Sequence, residues 1–130
     1  MKSLVIAGLA ALGLSAPAFG CNTYQVNQFG HQMWQAMDRF VSYAQNDYDF
    51  QWIASQADSV GELAHHIGDH GEQGDCYAAQ NDFYNQLTPA YGNLDSQVDP
   101  RVGYSRNYGL VQAWRDVESQ YRALQFAVQH

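Results

Sequence analysis

Four stretches of this chain carry apolar residues at alternating steps of three and four. Val26, Phe29, Met33, Met37, Phe40 and Ala44 make the first, and Ile53, Ala57, Val60, Ala64 and Ile67 the second. Phe83, Leu87, Ala90, Leu94 and Val98 make the third. In the fourth, Leu110, Trp114, Val117, Tyr121, Leu124 and Val128 keep the same step. A period near 3.5 gathers each set onto one stripe of a helix, and such stripes are stable only against neighbouring helices. No stretch alternates strictly as a half-buried strand does. The pattern predicts an all-α chain.

The residues between the stripes set the order of the helices. Asn22 and Gln25 have the spacing of a capping box before the first, and Asn46 or Asp47 can cap the second. Gly68 after Ile67 reads as a helix stop, and Asp75 as the cap of the third helix. Pro89 predicts a kink or a split there, with Thr88 capping the new start, and Asp99-Pro100 predicts a break. Short connections at 45–49 and 68–75 force antiparallel neighbours, while the connection at 99–109 is longer. An antiparallel up-down four-helix bundle is the simplest arrangement.

The first residues change the picture by fixing a compartment. Lys2, the apolar run Leu4 to Leu14 and the small residues before Cys21 have the form of a secretory signal peptide over 1–20. Cleavage fits after Ala18 or after Gly20. A lipoprotein anchor on Cys21 fits less well, because Ala18 and Phe19 stand where Leu and a small residue are usual. Residues 21–130 are then expected to form a single domain in a periplasmic or secreted protein, large enough for a modest core. In that oxidising setting Cys21 and Cys76, the only cysteines, are candidates for one disulfide. The up-down order supports this, since helices one and three start at the same end.

The net charge is −7, and Lys2 is the sole lysine. Neither nucleic acid nor an anionic membrane surface suits such a chain, because both demand clustered positive charge. No later run is apolar long enough to span a membrane.

Candidate chemistry lies in two places. Glu62, His65, His66, Asp69 and His70 are donors three and four apart, a spacing that can share a divalent transition metal. With Val60, Ala64 and Ile67 facing the core, Glu62, His65, His66 and Asp69 fall on the wet face, which excludes a buried two-metal centre. His31 and His130 are expected near the same pole. The second place is Arg101 to Gly109, whose Arg101, Tyr104, Arg106 and Tyr108 are residue types favoured in recognition surfaces. This loop is expected beside Asp47 and Asp49, held by Arg–Asp pairs.

Met33 and Met37 lie in the core stripe and read as packing rather than haem ligands, with no histidine well placed to complete a haem site. Trp34, Trp52 and Trp114 read as core or core-flank residues. No catalytic motif is found, and no cofactor is expected beyond a divalent transition metal at the histidines. The sequence therefore leads to a non-catalytic binding module of the cell envelope, with an envelope protein or small ligand as partner. Metal binding at the histidine-rich end is the alternative.

Overall fold

A computed structural model describes residues 20–130 of the chain, so the expected leader, its cleavage after Ala18 and the motif before Cys21 fall almost wholly outside the described residues. Helix α1 (Thr23–Gln45) starts where Asn22 accepts the Gln25 N–H at 3.0 Å, the expected cap. Helix α2 (Ala54–Glu72) is entered through a single 3₁₀ turn at Gln51–Ile53 without a side-chain cap. Asn46 instead closes α1 by donating to the Ser42 carbonyl, and Asp47 accepts the Asp49 N–H within the connection.

Helices α3 (Cys76–Asp82) and α4 (Thr88–Val102) are joined by a π-turn, Phe83–Leu87, into one unbroken third rod. Helix α5 (Tyr108–Gln129) forms the fourth. There is no strand among the described residues. The result is an all-α four-helix bundle.

Three expected boundaries move, each for a physical reason. Gly68 does not end α2; the helix runs on to Glu72. It ends at Gly74, whose φ of +71 is one a side chain would oppose. There Asp75 N–H donates to His70 and Gly74 N–H to Gly71, which satisfies the last carbonyls. Pro89 neither splits the rod nor makes Thr88 a cap. The π-turn widens the helix just before it, where a proline ring would otherwise meet the carbonyl one turn back. The Thr88 hydroxyl accepts instead from Tyr121 at 3.2 Å. Pro100 does not break α4 either: it sits exposed in the last turn, where one missing hydrogen bond costs little, and the helix ends at Val102.

The stripes meet in the interior as expected. Met33, Met37, Phe40, Ile53, Ile67, Phe83, Leu87, Leu94, Trp114 and Leu124 are all essentially without solvent contact. Two kinds of seam result. Between α1 and α2 the contact is made by small residues, Gly30 against Gly68 and Ala64, and Gly71 against Thr23 and Asn27. A Cβ on Gly30 would lie 2.6 Å from the Gly68 backbone, so these helices approach more closely than larger side chains allow.

The third rod instead stands off from α5 on large rings. Tyr91 stacks on Tyr121 at 3.9 Å and on Trp114 at 6.0 Å, and Phe83 stacks on Tyr121 at 5.5 Å. Cys21 and Cys76, at the starts of the first and third rods, are bridged with Cα atoms 5.9 Å apart. The end of α5 closes the same pole, where Ala127 accepts the Asn22 N–H and Val128 accepts the Gln80 amide.

Candidate functional site

The glycine seam decides what the histidines do. Gly30 and Gly68 stand equally far along the chain from Asp49 in the α1–α2 connection, and they touch. Residues flanking them on the two helices are therefore neighbours. His31 of α1 lies over Gly68, where an added Cβ would come within 2.9 Å of its ring. From there the His31 Nε2 donates to Asp69 Oδ1 at 2.9 Å, and His65 Nδ1 stands 3.4 Å from Asp69 Oδ2. One donor atom from each of His31, His65 and Asp69 lies within 4.8 Å of the others.

The rings pack as well as the donors. His65 lies 4.9 Å from His31 and meets Trp34 edge-on at 4.6 Å, while the Trp34 indole donates to Glu62 at 3.3 Å. The side chains of His31, His65 and Asp69 are between 26 % and 38 % exposed. The hydrogen bond from His31 holds the Asp69 carboxyl below its ordinary range, against the smaller opposing effect of burial.

Of the five donors expected from the sequence, only His65 and Asp69 belong to this cluster. Glu62 is one step away, braced on Trp34. His66 points outward and is exposed. His70 faces the third rod and pairs with Asp82 at 2.9 Å, and His130 stacks on Phe126 at 4.3 Å. The single pole of histidines resolves into separate contacts. His65 and Asp69 are also not wholly on the wet face, because the close α1–α2 approach encloses the edge of that face.

At the opposite pole the α1–α2 connection and the α4–α5 loop, residues 103–107, are tied together. Asn107 donates to Asp47 at 3.0 Å, and the Tyr43 ring lies against Gly109. The Arg101 guanidinium sits 5.0 Å over the Trp52 ring. The expected Arg–Asp pairs are not what holds the loop. Among the described residues neither Arg101 nor Arg106 forms an ion pair, and Asn107 carries the link instead.

The same pole displays aromatic surface. Tyr48 is 87 % exposed, Trp52 53 %, Tyr104 91 % and Tyr108 82 %. Sequence reasoning located the Tyr/Arg loop but not Tyr48, and it placed Trp52 in the core or on its flank, whereas the residue is 53 % exposed. The Trp52 indole donates to the Asp49 carbonyl at 2.8 Å, which turns the ring outward.

A third group, Asp95, Asp99 and Glu118, joins α4 to α5 and was not visible as a cluster in the sequence. Arg115 bridges Asp99 at 2.9 Å and Glu118 at 2.8 Å. Arg115 lowers the Asp99 carboxyl, whereas burial raises those of Asp95 and Glu118. Asp95 Oδ1 is enclosed without a hydrogen-bond partner. The arrangement reads as an Arg115-centred ion-pair network across two helices, with Asp95 beside it.

No helix among the described residues is long and apolar enough to cross a membrane. No family model, curated protein or solved structure matches the chain, so the reading of these sites rests on its own residues.

Proposed function

We propose that this is a small, non-catalytic interaction protein of the cell envelope, exported to the periplasm or beyond, which docks a partner protein on its Tyr/Trp/Arg pole. One observation carries the reading. Two connections 60 residues apart in sequence at their point of contact are hydrogen-bonded together, and beside that link Tyr48, Trp52, Tyr104 and Tyr108 are exposed to solvent. Tyr, Trp and Arg are the residue types that supply most binding energy at protein interfaces. Aromatic side chains bury roughly 150–250 Å² each when fully covered, so four of them can supply much of one side of an interface of standard size, about 800 Å².

The charge pattern indicates the partner's chemistry. Arg101 and Arg106 are exposed and unpaired with carboxylates among the described residues, on a chain that is otherwise acidic. A protein surface offering carboxylates beside an apolar patch complements them. The leader-like first residues and the bridged cysteines support an oxidising compartment.

The test compares capture from envelope extract of the host by wild type, by Trp52→Ala/Tyr104→Ala and by Arg101→Glu/Arg106→Glu. Tyr24→Ala/Tyr77→Ala, which alters exposed tyrosines near the cystine pole, serves as control. One protein band should be retained by wild type and control and lost by both pole variants, with helicity unchanged. Equal capture by all four proteins would refute the assignment.

A further inference from the structure

We infer that His31, His65 and Asp69 form a binding site for one divalent late transition-metal ion of the zinc, copper and nickel class, on the rim of the α1–α2 seam. This site lies apart from the Tyr/Trp/Arg pole and does not depend on the docking role. Two imidazoles and a carboxylate are the donors such ions favour, whereas magnesium and calcium call for oxygen sets.

Spacing supports the assignment. Metal–ligand bonds of about 2.0–2.2 Å place neighbouring donors roughly 3–3.5 Å apart in tetrahedral or octahedral geometry. His31 Nε2 and Asp69 Oδ1 are 2.9 Å apart, and His65 Nδ1 and Asp69 Oδ2 are 3.4 Å apart. Each imidazole thus stands at ligand spacing from one oxygen of the Asp69 carboxylate. With a single donor atom taken from each residue the three lie within 4.8 Å of one another, so an ion would draw them together or take the carboxylate through both oxygens. The partial exposure of all three leaves an approach for the ion and room for water in its remaining positions.

The scaffold is built for this geometry. His65 and Asp69 are one turn apart on α2, and His31 comes from the other helix, so the donors are fixed by two rods in backbone contact. Only glycine at position 68 leaves space for the His31 ring. Trp34, held by Glu62, buttresses the His65 ring from its open side. Such outer supports fix ring orientation and typically change metal affinity by about 10–100-fold. The same contacts would also serve a metal-free hydrogen-bonded brace between the helices, and experiment separates the two roles.

The experiment is isothermal titration of the tag-free, disulfide-intact protein, stripped with chelator, with zinc, nickel and copper(II) salts near neutral pH. At least one of these ions should bind at one per chain with micromolar or tighter affinity. His31→Ala, His65→Ala and Asp69→Asn should each weaken it by about 100-fold or more, since a ligand matters more than its supports. His66→Ala and His70→Ala should leave it unchanged. Asp69→Asn keeps an acceptor for His31, so it preserves the brace while removing the anionic ligand. Electron paramagnetic resonance of the copper(II) form should show coupling to two imidazole nitrogens, and to one in either histidine variant. Flat titrations for all three metals, undiminished binding in the three ligand variants, or loss confined to His66→Ala or His70→Ala would each overturn the site.

Discussion

Replacing Gly30 by alanine tests the feature on which the histidine geometry depends. The new Cβ would lie 2.6 Å from both Cα and N of Gly68 and 2.9 Å from the Ala64 carbonyl oxygen. Ordinary carbon contacts are near 3.5–4.0 Å, so the deficit is about 1 Å. Every obstructing atom belongs to the backbone, so no rotamer change relieves it and the two helices must part. Helix propensity favours the alanine by about 1 kcal/mol. Overpacking usually costs about 1–3 kcal/mol, and rigid neighbours place this case at or above the top of that range. The net effect is a destabilisation of about 2 kcal/mol, or roughly 10 °C in midpoint for a domain of this size.

Gly92→Ala is the matched control. Its Cβ would meet nothing within 4 Å, on the exposed side of α4, so the propensity term acts alone and stabilises by up to about 1 kcal/mol. Thermal and urea unfolding of the two variants, unreduced and followed by circular dichroism, should therefore shift in opposite directions with equal denaturant slopes. A Gly30→Ala protein as stable as wild type, or more so, would refute the close-packed seam.

Two further outcomes follow from the same structure. Replacing both Cys21 and Cys76 by serine opens a cross-link between residues 55 apart in sequence, and should lower stability by about 4 kcal/mol as read from urea unfolding. Asp95→Asn should stabilise at neutral pH: burial raises the Asp95 carboxyl above its ordinary value of 3.8, so the charged form is disfavoured in the fold and stability declines as pH rises through the raised value. The variant's advantage should disappear as pH falls below that ordinary value, which a series of melting curves across acid and neutral pH would reveal.

Much of the fold was legible because burial follows periodicity. Val26, Met33, Ile67, Leu94 and Trp114 are buried where the three-and-four step puts them, and Asn22 and Asp75 cap as their side chains allow. Glycine and proline were misread because each has two meanings. Gly68 has the composition of a stop yet serves as a contact surface. Pro100 has the composition of a break yet occupies a last turn that loses only one hydrogen bond. In the candidate sites, His65 and Asp69 were visible because they lie one turn apart on one helix. His31 was not assigned to them because its distance from Asp69 depends on how near two helices come, and no local pattern states that. Asp95 and Asp99 lie one turn apart on α4, but Glu118, which completes their cluster, was hidden for the same reason, because it comes from α5.

Taken alone, the amino-acid order determined which faces of the helices avoid water, how many rods there are and which cysteines can meet. These are properties of spacing along one chain, dictated by the turn of the helix and the lengths of the connections. Only the packed molecule decided that α1 and α2 touch through their backbones while the third rod stands off α5 on stacked rings. Side-chain volume at each crossing sets that distance, and the distance decides that His31 reaches Asp69 while His70 turns to Asp82.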